Sequence, residues 1–408
     1  MIIEGDSGVR TDDHLRDERA SPQASAVDHP DDMTVGVTSD IGAAGEIYQE
    51  LGADCILSAF QTRLWIECWQ ARLASPRGAQ ALFCHLRGRD GRILLLLPLC
   101  LRIDGRLRII EGADLGVSDY LAPVMAARFR PTIAEWRALW PRIAAALPPH
   151  DVLRLTKIPL EVGDRPNPLA WIPGAYKLEL QAHGIPISAP WEECAKRVFS
   201  RNRREKLKKG QRSLSRLGAV RFRAIDDTEE MISRFEQLVA QRMRRFAALQ
   251  RDDPLRDPPF LDFYRAVIAR GAASGFARIT LMEVDARPIA MQFGLCHAGA
   301  FHVLIPTFFE GSWEKQGPGM LLAARSMQWA AEAGLRYYDF TIGNEGYKGR
   351  LGATARDLVE VVSLGTWRGL PTVTAAHLKA WIKRQPLLLG AIRKTQAMLG
   401  RDSASEGE

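Results

Sequence analysis

The sequence predicts a mixed α/β (α+β) protein built from two halves of similar arrangement, each a mixed, mainly antiparallel sheet flanked by helices. Apolar residues recur at helical spacing in several segments, and short apolar runs are separated by Asp-Gly and similar turn signals. The same general order of elements occurs twice along the chain. The 408 residues, 46% apolar and 25% charged, are enough for two domains of ordinary size.

The first half is predicted over residues 41–185. Residues 1–40 precede it and are predicted to be a disordered acidic leader, because they are rich in Asp, Ser, Gly and Pro with almost no aromatic residues. The predicted elements of the half are a helix at Phe60–Leu73, a meander of strands in 81–110, a helix at Thr132–Leu147 and a strand at Asp151–Ile158. The Pro-rich stretch Pro159–Pro190 is expected to contain a connection between the halves.

The second half is predicted over residues 190–368 and has clearer boundaries. A basic helix (about Trp191–Leu217) leads into the strand AVRFRAI, and two helices follow. Three successive strands, RITLMEVDARPIAMQFGLCHAGAFHVLIP, precede a glycine-containing loop, a helix at Met320–Ala333 and the strand LRYYDFTIG. Residues 369–408 are predicted to be a helical basic tail.

Composition narrows the function classes. The six cysteines show no C-x-x-C pair and no histidines at metal spacing, which favours reduced thiols in a cytoplasmic protein and no metal site. No basic segment followed by an apolar core begins the chain, so no secretory signal is predicted. The longest apolar run, Ile93–Leu101, is about half the length of a membrane helix and is interpreted as a buried strand.

Three stretches of the second half carry a resemblance: RPIAMQFGLCHAGAFHVLIPTFF, PGMLLAARSMQWAAEAGLRYYDF and TIGNEGYKGRLGA. They resemble the Gcn5-related N-acetyltransferase (GNAT) superfamily, in particular the CelD-like proteins of cellulose and polysaccharide biosynthesis. FemAB-type aminoacyl transferases look like more distant relatives. The resemblance covers about residues 190–365, extends more weakly into the first half, and implies tandem GNAT-like halves with acetyl-CoA or another acyl-CoA as co-substrate.

The resemblance implies a coenzyme site at the loop before the helix Met320–Ala333. Gln316 and Gly319 match the family's pattern, Gly317 lies between them, and Leu321 departs from the pattern at its last position. A helix N-terminus with glycines suits an anion such as the pyrophosphate of coenzyme A. A backbone N–H of the preceding strand is expected to polarise the thioester; Pro306 has none, which leaves Leu304, Ile305 or Thr307.

The end of the last core strand is the predicted catalytic region. Glu345 is the first choice for the base that deprotonates the acceptor, Asp339 is either a catalytic group or orients a neighbour, and Tyr347 is the candidate acid for the departing thiolate. Lys348 is predicted to bind a phosphate or carboxylate of the substrate.

Three further polar residues are assigned to substrate binding. His302 and Gln292 alternate with apolar neighbours along their strands and are expected to face the cleft between the halves. Asp119, beside Tyr120, matches a family segment of the first half and is expected to complete the acceptor pocket.

Two basic segments indicate anionic partners. Residues 197–216 hold nine Lys or Arg and one acid, Glu205, but no DNA-binding motif, so an anionic ligand is expected at this helix and DNA is not. The segment Thr374–Leu399 mixes apolar and basic residues and is either a helix lying on a membrane surface or one packed on the protein.

The predicted function is therefore an N- or O-acyltransferase acting on an amine or hydroxyl of a small-molecule or glycan acceptor, in polysaccharide biosynthesis. Two alternatives stay open: a FemAB-like transferase that uses aminoacyl-tRNA, and a non-catalytic GNAT-fold scaffold of a polysaccharide-synthesis assembly. The sequence leaves acceptor, acyl chain, identity of the base and oligomeric state unassigned.

Overall fold

The computed structural model describes residues 30–383. Fifteen strands are found there: β1 Thr34–Thr38, β2 Gln80–Arg87, β3 Ile93–Asp104, β4 Leu107–Gly112, β5 Val124–Met125, β6 Val152–Pro159, β7 Glu161–Val162, β8 Arg165–Pro166, β9 Tyr176–Pro186, β10 Val220–Ile225, β11 Ala277–Val284, β12 Arg287–His297, β13 Ala300–Phe308, β14 Tyr337–Ile342 and β15 Thr354–Leu364.

The same residues hold ten α-helices: α1 Ile41–Leu51, α2 Arg63–Trp69, α3 Ile133–Ala146, α4 Trp191–Val198, α5 Arg201–Ser215, α6 Thr228–Ala248, α7 Pro258–Gly271, α8 Pro318–Glu332, α9 Gly346–Arg350 and α10 Leu370–Lys383. None of the helices in this part of the chain is long and apolar enough to cross a membrane.

Helix starts follow the capping residues of the sequence. Thr132 forms a capping box with Glu135 at the start of α3, and Asp227 accepts a hydrogen bond from the N–H of Glu230 at the start of α6. Phe199 has extended backbone angles, and Ser200 then caps a new helix. The single basic helix predicted over about Trp191–Leu217 is therefore two helices, α4 and α5.

One mixed sheet runs through the whole described molecule in the order β1-β2-β3-β4-β6-β15-β9-β14-β13-β12-β11-β10, with β5 paired to β3. Most neighbours are antiparallel, but β4 with β6 and β13 with β14 are parallel. The sheet is continuous because β15, from the end of the chain, pairs with both β6 and β9, and β9 pairs in turn with β14. The mixed α/β fold with a helix-flanked sheet is thus confirmed.

Helices cover both faces of the second-half sheet. On one face, Phe235 of α6 packs against Phe293 of β12 with ring centroids 5.7 Å apart. On the other, Leu214 of α5 and Leu322 of α8 pack with Ala290 of β12. Burial of these side chains fixes which face of each strand is available to a site.

Two expectations need correction. Strand β1 pairs with β2 throughout Thr34–Thr38, so the leader predicted to reach residue 40 is wrong there: alternating Val35 and Val37 pack on the core. The stretch Pro159–Pro190, expected to contain a connection, also contains β9, a strand that was not predicted and that joins the two halves. Residues 1–29 and 384–408, which hold the rest of the leader and of the basic tail, lie outside the described residues, and the division into two domains stays a prediction.

Candidate active site

Strands β13 and β14 separate within the sheet. They pair in parallel at Ala300–Tyr337, Phe301–Tyr338 and His302–Asp339, after which the paired region ends. We call this point the C-terminal fork. Beyond it, Thr341 has a left-handed φ of 55°, and its hydroxyl donates to the carbonyl of Val303 at 3.0 Å. The last rung before the strands part is therefore an Asp–His pair.

A buried hydrogen-bonded cluster joins the two halves at this fork. His302 Nδ1 lies 3.1 Å from Asp339 Oδ2, and the Tyr120 hydroxyl donates to the same carboxylate at 2.9 and 3.0 Å. The backbone N–H of Thr341 donates to Asp339 Oδ1 at 2.7 Å. A carboxylate with these donors fixes the neighbouring imidazole so that Nδ1 carries the proton.

The other nitrogen of His302, Nε2, has no hydrogen-bond partner among residues 30–383, and 11% of the His302 side chain is exposed. The ring of Phe60 packs edge-on against both His302 and Tyr120, with centroids 6.1 and 5.6 Å away. An oriented imidazole with a free Nε2 at an apolar wall has the geometry of a general base.

Two carboxylates near the fork are tuned in opposite directions. Burial acts to raise the pKa of Asp339, but the hydrogen bond and charge of His302 and the Thr341 N–H outweigh it, so this pKa lies below its ordinary value. Burial raises the pKa of the nearby Asp119 to about 6, against the opposing Lys157 charge and a hydrogen bond from Thr341. Asp339 is thus held as an anion, whereas Asp119 can exchange a proton near neutral pH.

The pKa values of Tyr120 and His297, which lie near the fork, are also shifted. Burial, with the charges of Asp339 and Asp119, raises the pKa of Tyr120 well above its ordinary value, so its hydroxyl stays a donor. Burial, followed by the neighbouring His302, lowers the pKa of His297 to about 4. The Tyr120 backbone is held by Gln61, whose Nε2 donates to its carbonyl at 2.9 Å.

The predicted cluster at residues 345–348 follows β14. Lys348 is 2% exposed, and its ammonium donates to the carbonyls of Ile342 (2.7 Å) and Gly343 (3.3 Å) and pairs with Glu345 at 3.0 Å. The Lys348 ammonium is therefore bound by carbonyls at the end of β14 and by Glu345, and its assignment to substrate binding stays a prediction. Tyr347 packs on Phe340, and burial raises its pKa above the ordinary value. Glu345, with a side chain 57% exposed, stays only a prediction as base.

Gln292 and His302 lie on opposite faces of the sheet. Gln292 donates to the hydroxyl of Tyr338 at 2.7 Å on the α8 face, where Tyr338 also packs on Phe301. In β12, Gln292 lies three residues from Leu295, the cross-strand partner of His302, so strand alternation directs the side chains of Gln292 and His302 to opposite faces. The expectation that Gln292 shares the cleft with His302 is wrong for that reason.

The loop before α8 has part of the geometry expected for an anion site. Gly317 has a left-handed φ of 68°, and a Cβ at Gly319 would come no closer than 3.9 Å to Phe308, so the backbone is open. The N–H groups of Met320 and Leu321 bond the Gly317 carbonyl, which leaves Gly319 as the available donor of the first turn.

The side chains of two other predicted coenzyme contacts, Gln316 and Thr307, are engaged within the protein. The Gln316 amide is best oriented to donate to the carbonyls of Ser312 (3.3 Å) and Trp313 (2.7 Å) of its own loop. Thr307 is 4% exposed and pairs with Met291 in the sheet. Only their backbone groups are candidates for contact with a co-substrate.

A second fork lies in the first half and lines a cavity of about 420 Å³. Strands β4 and β6 pair in parallel up to Glu111–Arg154, and Lys157 then adopts a left-handed φ of 58°. We call this the N-terminal fork. The Lys157 ammonium donates to Asp114 Oδ2 and to the carbonyl of Ser118, both at 2.7 Å. Tyr120, whose hydroxyl reaches Asp339, also lines this cavity.

The basic helix borders a larger groove, of about 740 Å³, between α4, α5 and α8. We call it the basic groove. Trp191, Leu207 and Ala324 lie along its apolar floor. Its rim holds two acids, Glu192 and Glu205, and six cations: Lys196, Arg201, Arg204, Lys208, Arg212 and Arg325. Within residues 30–383, the only ion pair made by these cations joins Lys208 and Glu205 at 3.6 Å.

Sequence reasoning named His302, Asp339 and Asp119 but did not join them. The contact of Tyr120 with Asp339 spans 219 positions, and no local pattern reveals it. The left-handed residues Lys157 and Thr341 were missed, since neither is a glycine or asparagine. A usable signal is the strand–helix–strand order of β13, α8 and β14, because a helical crossover commonly joins parallel strands.

Comparison with known families and structures agrees with this fold. Residues 201–349 match a family model described as an acetyltransferase (GNAT) domain. The fold is similar to that of FemX, at 12% identity, with a TM-score of 0.53, 77% of this chain and 95% of FemX covered.

Two weaker likenesses carry no argument. One is to the C-terminal domain of a protein described as a lysylphosphatidylglycerol synthetase from Agrobacterium fabrum, at 9% identity and TM-score 0.49, covering 84% of this chain and 96% of that one. The other is to a tandem GNAT protein from the clavulanic acid biosynthesis pathway, at 13% identity and TM-score 0.43, covering 82% and 99%. No curated protein matches the sequence significantly.

Proposed function

We propose that the protein is an acyltransferase whose reaction takes place at the C-terminal fork. The observation that carries the proposal is the Tyr120–Asp339–His302 cluster at the last rung before the strands part, with His302 Nε2 free. The GNAT-domain match over 201–349, which contains both His302 and Asp339, supports the acyltransferase class.

In the proposed step, an amine or hydroxyl of the acceptor attacks the carbonyl carbon of an acyl thioester. His302 Nε2 takes the proton that the nucleophile loses, and the Asp339 carboxylate stabilises the resulting imidazolium. The C–S bond then breaks, and the proton passes from the imidazolium to the thiolate. Asp119, with its pKa of about 6, is a second proton carrier beside the fork.

The proposed donor is acyl-CoA, with its pyrophosphate at the N-terminus of α8. Gly317 and Gly319 leave the backbone open there, and the Gly319 N–H and the positive end of the helix suit an anion. The proposed acceptor site is the cavity of the N-terminal fork, because Tyr120 connects it to the Asp–His pair. The proposal also includes a small molecule or glycan as acceptor. It further includes a role in polysaccharide biosynthesis and a cytoplasmic location.

The donor is tested by calorimetric titration with acetyl-CoA. Gly319→Asp places a negative charge beside the proposed pyrophosphate and should abolish micromolar binding, whereas Gly319→Ala, which the open space accommodates, should retain it. Absence of binding to the folded wild-type protein at millimolar acetyl-CoA would contradict an acyl-CoA donor.

The basic groove favours a second candidate, an aminoacyl-tRNA donor as in FemAB-type transferases. Its cations follow α5, where Lys208 alone of the described rim cations is in an ion pair, and Trp191 offers an aromatic surface on which a base can stack. The aromatic residue comes from α4, which the basic stretch taken alone did not indicate.

Salt-dependent binding of tRNA tests this candidate. The double change Arg201→Glu with Arg204→Glu should weaken binding strongly and reduce its salt dependence. The matched control is Lys206→Glu with Lys209→Glu, which alters two exposed cations of the same helix outside the groove. Equal loss in both variants would mean unspecific attraction and would remove the candidate.

A further inference from the structure

Helix α10 buries only part of its apolar surface against the protein core. Its inner side packs on the sheet, where Val373, Ala376 and Ala380 contact a cluster that includes Val152 of β6 and Val362 of β15. Four other apolar side chains of this region point outward: Trp367 is 79% exposed, and Leu370, Leu378 and Trp381 are 50%, 56% and 53% exposed.

The outward residues share one side of the helix. Positions 370, 378 and 381 fall on one side of a helix with 3.6 residues per turn, and Trp367 precedes the first turn. We call this set of four the outer stripe. It includes both of the tryptophans that are exposed among the described residues. Several large apolar side chains exposed on one side of a helix mark an interaction surface.

The sequence around the outer stripe carries charges of one sign. From residue 361 to residue 401 it has no Asp or Glu, although the whole chain has 48, and it has seven cations: Arg368, Lys379, Lys383, Arg384, Arg393, Lys394 and Arg401. Of these, Arg368 and Lys379 are exposed in the described part of the chain. A surface that combines tryptophan, leucine and such cations fits the boundary between the anionic headgroups and the acyl chains of a bilayer.

We propose that α10 docks the protein on an anionic membrane surface through the outer stripe while its inner side stays packed on the sheet. This docking is independent of the chemistry at the C-terminal fork. It positions the acyltransferase beside lipids. A second copy of the chain, which would cover the stripe but has no acids to offer from residues 361–401, is the weaker fit to this charge pattern.

The test is co-sedimentation of the full chain with vesicles of phosphatidylcholine, alone or mixed with phosphatidylglycerol. Wild type should bind the mixed vesicles, and added salt should weaken the binding. Trp367→Ser with Trp381→Ser should lower the partition coefficient at least about tenfold, given the interfacial preference of tryptophan. The matched control is Ile103→Ser with Leu249→Ser, two residues that are 75% and 52% exposed elsewhere and should leave binding unchanged.

Several outcomes would overturn the proposal. They are no binding to mixed vesicles at low salt, equal binding by the tryptophan variant, and loss of binding only in Arg201→Glu with Arg204→Glu, which would assign the lipid contact to the basic groove. A change of oligomeric state in the tryptophan variant, without vesicle binding by wild type, would assign the stripe to a second copy. Acetyl-CoA titration of the same variant reports separately on the donor site, so the two proposals fail independently.

Discussion

The N-terminal and C-terminal forks share a backbone plan but differ in what they do with charge. In each, two strands run parallel for three residue pairs and a left-handed residue follows, Lys157 in one and Thr341 in the other. At the N-terminal fork Glu111 is paired with Arg102 and Lys157 with Asp114. At the C-terminal fork the Asp–His pair leaves a ring nitrogen free. The paired charges of the N-terminal fork suit a binding site, whereas the free ring nitrogen of the C-terminal fork suits a catalytic base.

The largest effect is expected from a substitution of His302 at the C-terminal fork. His302→Ala should lower acyl-CoA turnover by about a hundredfold to ten-thousandfold, since it removes the proposed base. The release of free thiol from acetyl-CoA, with water or an amine panel as acceptor, measures it. His297→Gln, a change at the neighbouring imidazole, should keep turnover within about threefold. Full activity in His302→Ala would remove this fork as the reaction site.

The next effect concerns the charge behind the base. Asp339→Asn should destabilise the protein by about 1 to 3 kcal/mol at pH 7, because charged hydrogen bonds from Tyr120 and His302 are lost. Since the folded pKa of Asp339 is lowered, its contribution is present above the unfolded pKa near 4 and is lost as the pH falls through the folded value.

Denaturant unfolding of Asp339→Asn at several pH values, with pH–rate profiles, checks this effect. Tyr120→Phe removes one hydrogen bond and serves as the milder partner. An unchanged pH–rate profile in Asp339→Asn would contradict the role of Asp339 as the group that orients His302.

A substitution of Lys157 at the N-terminal fork tests whether the two forks differ in function. Lys157→Met leaves Asp114 without its partner and should cost about 1 to 2 kcal/mol of stability. Turnover of acetyl-CoA with water as acceptor should fall far less than in His302→Ala, because Lys157 acts on the reaction only through its charge near Asp119. A loss comparable to that of His302→Ala would mean that both forks take part in the chemistry.

The smallest effect has the opposite sign. The pKa of Asp119 is raised to about 6, so stability falls as the pH rises from the unfolded value near 4 through 6. Asp119→Asn should therefore stabilise the protein at pH 8 by about 1 kcal/mol, reduced by its partial exposure, and have no effect at pH 4. The exposed Asp54→Asn is the control, and thermal unfolding at both pH values is the measurement.

Local pattern predicted most of the second-half elements. The strands β11 to β13, helix α8 and strand β14 lie within one to three residues of their predicted places, because turn glycines and alternating apolar residues act over a few positions. Strand β9 was missed since its burial alternates irregularly and it becomes regular only through pairing with β14 and β15.

The candidate site was predictable only in parts. His302 and Asp339 were both named, but their pairing depends on the register of β13 with β14. Gln292 was misplaced because the sequence does not give the β12–β13 register, in which His302 pairs with Leu295, a residue on the face opposite to Gln292. A charged turn sequence likewise does not reveal the burial and ion pair of Lys348. The participation of Tyr120 depends on packing between halves, which no local pattern encodes.

The position of β15 between β6 and β9 also has a consequence for the order of folding. Leu153 of β6 pairs with Ser363 of β15, about 200 residues later, so the first half emerges during synthesis with an unpaired strand edge. We expect this edge to stay unpaired until nearly the whole chain has been synthesised. If the chain is cut between the halves, we expect each piece to have an unpaired strand edge that is prone to aggregation.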